Sequence, residues 1–241
     1  LYGIKTIIPF SMIKAVCFDF FNTLAYFDPP RDEYYAETAR GLGINVTAEQ
    51  IAEALPDADT YWRQENFKSP IRERPEKEKF EAYEGYGMRI LRNVDPPATA
   101  EKALQMLAKA FARGFKFVSF DDALPILKAL KAKALIIGVI SNIGQEIDAY
   151  CIELGFEPYL DFKVTSFEVG YDKPHPEIFE LALRRANVSA DEAVFIGDQC
   201  EQDIKGARGV GIKPILIDRK GNSNSCDCIV IHNLYQVTDY I

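Results

Sequence analysis

From Ile13 onward the chain alternates short apolar runs with amphipathic stretches, and the runs are apolar at consecutive positions. Ala134-Leu135-Ile136-Ile137-Gly138-Val139-Ile140 and Ala193-Val194-Phe195-Ile196 are the plainest cases. A strand with two apolar faces needs cover on both, and helices supply it in parallel sheets. Strands are expected at residues 13–18, 135–140, 162–165, 193–197 and 214–217, with a short one at 228–231. Helices are expected between them at 121–131, 145–154, 176–186 and 201–208. Gly155 stops the second of these, and Pro176 stands where a first-turn proline is tolerated. The alternation predicts an α/β fold built on a doubly wound parallel sheet.

Residues 27–114 break this rhythm, with no strand-like run and recurrent helix signals. Thr47-Ala48-Glu49-Gln50 has the form of a capping box. Pro75 opens the charged segment Glu76-Lys77-Glu78-Lys79, and Pro96-Pro97 precedes an amphipathic stretch over 98–111. We expect an all-helical insert at 27–114, with hinges at Pro29-Pro30 and Gly114, in an α/β core formed by residues 12–26 and 115–241. An insert directly after a strand that carries chemistry suits a lid. Tyr61, Trp62, Phe67, Phe80, Tyr83 and Tyr86 are expected to pack between its helices, and Arg72 and Arg74 to be solvated. Residues 1–11 precede Met12 and the first strand; Pro9 breaks Ile7-Ile8, so a signal-peptide core does not fit. They are expected to carry no chemistry.

The formal net charge is −8, and no cluster of Lys and Arg offsets it, which argues against nucleic acid as a partner. A local anion site remains compatible with that total. No apolar segment is long enough to span a bilayer. The five cysteines are odd in number and scattered, and Cys226-x-Cys228 lacks a second ligand pair. A reduced, cytoplasmic protein is expected, as monomer or homodimer, acting on a small anionic substrate.

Four short pieces fall at the C-terminal ends of expected strands: Asp19-x-Phe21-Asn22-Thr23, Ser141-Asn142, Lys173-Pro174, and Gly197-Asp198 with Asp203 beyond it. Strand ends of an open parallel sheet face one crevice, so residues distant in sequence converge there. A carboxylate, a hydroxyl, an ammonium and an acidic pair suit phosphoryl transfer: the carboxylate attacks, the hydroxyl and helix amides hold phosphate oxygens, and the lysine neutralises charge. The acidic pair would bind Mg²⁺ through oxygen ligands. Each piece also has a plainer reading. An Asp after a strand is often a turn residue, Ser141-Asn142 could cap the following helix, and His175 between prolines is expected to be structural.

The four pieces in this order, with a helical insert after the first, resemble the haloacid dehalogenase superfamily from residue 13 to the C-terminus. The run Gly170-Tyr171-Asp172-Lys173-Pro174-His175-Pro176-Glu177-Ile178-Phe179 is similar to that family's third motif, and Gly197-Asp198-Gln199-Cys200-Glu201-Gln202-Asp203-Ile204-Lys205-Gly206-Ala207 to its fourth. The resemblance implies a Rossmann-like core sheet and a C1-type helical cap. It implies that Asp19 is a nucleophile forming a covalent aspartyl intermediate, oriented by Lys173. Ser141, with Thr23 and Asn142, would bind the transferring group. Asp19, the Phe21 backbone carbonyl and Asp198 would ligate Mg²⁺, and Asp203 would support the metal directly or through a neighbour.

Phe21 departs from the family's phosphatases, which carry an acid there to protonate the leaving oxygen. Loss of a general acid costs about 10²–10⁴-fold in rate. The favoured reading is a Mg²⁺-dependent phosphate ester or acyl-phosphate hydrolase, whose substrate has a leaving group needing no proton or whose acid comes from the insert. One alternative is a metal-independent 2-haloacid dehalogenase, because those relatives carry an aromatic residue at this position and Ser-Asn in the second motif. Arg63, in Trp62-Arg63-Gln64, then resembles their carboxylate- or halide-binding arginine. Against this stand Asp198 and Asp203, which would repel Asp19 without a cation. The other alternative is a catalytically silent phosphate- or partner-binding protein.

Overall fold

The structure, a computed structural model, describes residues 12–114, 116–144, 147–221 and 226–241. The expectations for residues 1–11, for a helix start at Gln145 and for packing of the Phe67 side chain lie outside the described residues.

In chain order the elements are β1 (Ala15–Phe18), β2 (Ala25–Asp28), α1 (Arg31–Arg40), α2 (Ala48–Lys68), α3 (Glu76–Ile90), α4 (Ala100–Arg113), β3 (Lys116–Ser119), α5 (Ala123–Ala132), β4 (Ile136–Ser141), α6 (Ile147–Glu153), β5 (Phe162–Thr165), α7 (Ser166–Val169), α8 (Pro176–Ala186), β6 (Ala193–Gly197), a π-helical turn (Cys200–Ile204), α9 (Lys205–Gly209), β7 (Lys213–Ile217) and β8 (Ile229–Ile231). Two compact units result: the residues up to Ala25 with Ser119–Ile241, and Tyr26–Val118.

The first unit is the α/β sheet read from the sequence. Among the described residues its strands run β5-β4-β1-β6-β7-β8, all parallel. β1 lies between β4 and β6, with Cys17 opposite both Gly138 and Phe195. Every residue of β1 and β6 is buried, as two-faced helical cover requires. Gly138 has a local reason: a Cβ there would come within 2.2 Å of the Phe162 ring on β5.

The second unit is built mainly from α1–α4. The Thr47–Gln50 capping box forms at the start of α2, and α4 buries Ala103, Met106, Leu107 and Ala110, one helical stripe. Tyr34 Oη donates to the Ala110 carbonyl at 2.7 Å, and Arg31 grips Asp59 at 2.7 and 3.0 Å.

Three local expectations need correction. The helical insert is flanked by β2 and β3, which pair as a two-stranded ribbon with Phe27 and Phe117 rings 4.6 Å apart, so strand structure reaches Phe27 and Asp28 of the expected 27–114. Four-residue strands far apart in sequence have no local signature. Phe80 is 56% exposed rather than packed, and the Arg74 guanidinium is nearly buried against Glu65, 2.8 Å away, rather than solvated. The cysteines differ too: Cys200 and Cys226 form a disulfide with Cα atoms 5.9 Å apart, inside the range a disulfide requires. Cys17 and Cys151 are buried free thiols. The cysteine argument for a reducing compartment therefore falls away. No helix among the described residues is long and apolar enough to cross a membrane.

Candidate active site

The Asp19 N–H donates to the Ile196 carbonyl at 2.8 Å, so pairing with β6 continues one residue past β1. Asp19 thereby arrives at the C-terminal edge of the sheet, where open α/β folds bind ligands. The chain then closes a tight turn. The Leu24 and Ala25 N–H groups both donate to the Phe20 carbonyl at 3.0 Å, and the Asn22 N–H donates to Ala25 O at 2.7 Å. Asn22 takes a left-handed φ of 56°, which an asparagine tolerates better than most residues. Phe20 anchors the turn, fully buried beside Phe156 and Tyr150.

Behind Asp19 lies Lys173, 2% exposed. Its Nζ donates to Asp19 Oδ1 at 2.6 Å and to Asp203 Oδ1 at 2.7 Å. The Ser141 hydroxyl, at the end of β4, lies 3.5 Å from Asp19 Oδ1. Asp203 is held from its other oxygen, where Oδ2 accepts the Gln199 N–H at 2.9 Å. Asp203 leans over Gly197, where a Cβ would come within 2.4 Å of its carboxylate, so the glycine before Asp198 makes room for the second acid of that motif.

Burial pushes the Asp19 carboxyl up from 3.8 to about 6; Lys173 opposes that rise and Asp203 adds to it. The Lys173 ammonium is disfavoured by burial, yet Asp19 and Asp203 outweigh that and hold its pKa above the ordinary value. Asp198 is pushed well up, first by burial and then by the charges of Asp19 and Asp203.

Sequence reasoning missed Gln202. The Asn142 Oδ1 accepts the Lys173 N–H at 2.7 Å, and its Nδ2 donates to Lys173 O at 3.2 Å and to Gln202 Oε1 at 2.9 Å. Asn142 therefore clasps the backbone that carries Lys173, and Gln202, buried in the π-helical turn, orients Asn142. Only the fourth-motif position of Gln202 hinted at this. Thr23 is completely buried, and its hydroxyl has no hydrogen-bond partner among the described residues. Arg63 belongs to the helical unit, on α2, and donates to Thr60 Oγ1 at 2.9 Å. His175 caps α8, as its place between prolines suggests, accepting the Glu177 N–H at 3.3 Å.

Carboxylate oxygens of Asp19, Asp198 and Asp203 lie within 4.8 Å of one another. Asp198 Oδ1 is buried without a hydrogen-bond partner among the described residues, and a buried carboxylate oxygen left unpaired is costly. An all-oxygen donor set with an unspent anionic oxygen fits a hard divalent cation such as Mg²⁺.

A family model described as hydrolase, haloacid dehalogenase-like hydrolase, matches residues 13–211. The glyceraldehyde 3-phosphate phosphatase of Methanothermobacter thermautotrophicus is 30% identical over 243 residues, covering 95% of this chain and all of that protein. Among solved structures, a HAD phosphatase from Thermococcus onnurineus aligns with a TM-score of 0.57 at 23% identity over 95% of this chain and 97% of its own. A 2-haloacid dehalogenase from Pseudomonas syringae aligns with a TM-score of 0.56 at 28% identity over the same shares.

Proposed function

Since the chain belongs to the haloacid dehalogenase-like hydrolases, we propose that it is a Mg²⁺-dependent phosphatase that works through a phosphoryl group carried on Asp19. The observation that supports this most is the cluster of Asp19, Asp198 and Asp203 carboxylates, in which one Asp198 oxygen is buried without a hydrogen-bond partner among the described residues. Three carboxylates around one ammonium are compatible with ionisation only if another cation is present. Displacement of halide without a metal would leave that charge uncompensated. The phosphatase relative that aligns over 95% of this chain points the same way.

Asp19, Asp198 and the Phe21 backbone carbonyl would hold Mg²⁺, and the bound ion would neutralise charge on the phosphoryl oxygens. A carboxylate oxygen of Asp19 attacks phosphorus as the bond to the leaving oxygen breaks. Lys173 keeps Asp19 oriented and balances its charge, while Ser141 offers a hydroxyl to the transferring group. Asp203, with both oxygens engaged, supports Lys173 and the acidic loop. Water then attacks the aspartyl-phosphate, releasing phosphate and restoring Asp19.

The Phe21 side chain cannot hand a proton to the leaving oxygen. The substrates this site favours are phosphates whose leaving group departs as a stable anion, an acyl or aryl phosphate. We assign the choice among them to the helical unit inserted after the Asp19 strand, with Arg63 as its candidate anion contact.

The test is phosphate release from acetyl phosphate and p-nitrophenyl phosphate, with Mg²⁺ and with chelator, using Asp19→Asn as the blank. Metal-dependent release absent from the blank is expected. Release of halide from a 2-haloacid in chelator, with no phosphate released, would refute the proposal.

A further inference from the structure

Three N–H groups of the turn that carries Asp19 bond within the turn, and two of its carbonyls are held from elsewhere in the chain. Leu24 O accepts the Phe120 N–H at 3.1 Å, and Thr23 O accepts from Arg219 Nη2 at 2.7 Å. Arg219 follows β7, two positions across the sheet from β1. Both of its terminal nitrogens are engaged, while Nε is buried without a hydrogen-bond partner among the described residues. Asp122 grips it through both oxygens at 2.9 and 3.0 Å, and the Phe120 ring lies 3.6 Å beneath it. Asp122 is fixed in turn by the Leu234 N–H at 2.8 Å. Arg219's own backbone is held too: the preceding Asp218 N–H pairs with Ile231 O at 2.8 Å, and the Asp218 carbonyl meets His232 Nδ1 at 2.8 Å.

The Arg219 and Asp122 side chains are only 17% and 8% exposed. Desolvating two charges consumes most of what their attraction returns, so such a pair is weak support for stability alone. What a planar, bidentate guanidinium provides is a fixed direction for its other donors. Here one of them, on the Nη2 that also bonds Asp122, is aimed at one carbonyl of the nucleophile turn. We propose that the Arg219–Asp122 pair is a positioning device that sets the shape of the turn from Asp19 to Ala25. It would thereby aim the Asp19 carboxylate and the Phe21 carbonyl, without touching substrate.

A displacement of about 1 Å in such a turn costs about 10²-fold in rate. The inference relies on the phosphatase reading for its kinetic readout, so a second readout accompanies it: affinity for Mn²⁺, a paramagnetic substitute for Mg²⁺, followed by electron paramagnetic resonance. In the full chain, Arg219→Ala is expected to lower kcat on acetyl phosphate and Mn²⁺ affinity by about 10–100-fold, the range for residues that orient metal ligands. KM should change little. Low-millimolar guanidinium should restore kcat to Arg219→Ala, and equimolar urea should not, because only the cation can occupy the vacated place between Asp122 and Thr23 O. If Arg219→Ala does not fold, Asp122→Asn, which keeps the contact to the Leu234 N–H, is read by the same two measurements. A folded variant with wild-type kcat and Mn²⁺ affinity, or a loss in Arg219→Ala that guanidinium does not reverse, overturns the inference. Absence of phosphate release by the wild type overturns the phosphatase reading instead, and Mn²⁺ affinity then decides the positioning role alone.

Discussion

Replacing Lys173 by Met would keep a side chain of similar length while removing the ammonium 2.6 Å from Asp19 and 2.7 Å from Asp203. At an effective dielectric constant of about 20, each of those contacts carries about 6 kcal/mol of attraction. Relief of ammonium desolvation returns much of it, so the net loss should fall at about 3–5 kcal/mol, the usual cost of breaking a buried pair from one side. The loss depends on pH. Asp19 is raised from 3.8 to about 6 with Lys173 present, so the folded state holds more protons than the unfolded chain between those values. Stability of the metal-free protein therefore falls as pH rises through that window. Without the ammonium the window extends upward, because the carboxylates must bind protons to coexist.

Urea denaturation in chelator at pH 5 and pH 8 measures this. The full loss is expected at pH 8 and a smaller one at pH 5, where protonation substitutes for the missing cation. Phosphate release with Mg²⁺ should fall by at least about 10²-fold. A loss below about 1 kcal/mol at pH 8, or the same loss at both pH values, would refute the view that Lys173 compensates these carboxylates.

Phe21→Asp should raise hydrolysis of an alkyl phosphate by about 10²–10⁴-fold and leave acetyl phosphate nearly unchanged; no gain with the alkyl ester would show that a missing proton donor is not what limits the site. Asp198→Asn should abolish Mg²⁺ binding by calorimetry yet raise the melting temperature of the metal-free protein above pH 7, since it removes a buried charge that burial and the neighbouring Asp19 and Asp203 disfavour. A lower melting temperature there would count against the charge-crowding argument. Reducing Cys200–Cys226, which closes a separation of 26 residues, should cost about 3–4 kcal/mol in chain entropy; Cys226→Ser should make stability indifferent to dithiothreitol.

The sheet was legible because its signal is local. Consecutive apolar residues at 136–140 and 193–196 state that both faces are covered, and the expected strands at 162–165 and 193–197 match the observed limits. Helix ends set by one side chain were equally plain, as at Thr47 and Pro176. The β2–β3 ribbon was hidden because its partners lie on opposite sides of the helical insert. Asp19, Ser141 and Asp198 stood out because each ends or follows a strand, and parallel strands deliver their C-terminal ends to one edge; Lys173 was reached through its motif, and the short helix α7 that separates it from β5 was not foreseen.

By itself, then, the sequence determined the layer architecture and which side chains arrive at the sheet edge, because periodicity and strand–helix order are properties of neighbours along the chain. Tertiary structure alone decided how those groups divide their work. It turned Asn142 toward Lys173 and Gln202, engaged both oxygens of Asp203, left one oxygen of Asp198 unpaired, and set Arg219 against Asp122 and Thr23. Apart from the local Gln199–Asp203 contact, these hydrogen-bond partners are brought from elsewhere in the chain by the fold, and no short window of sequence contains both ends of such a contact.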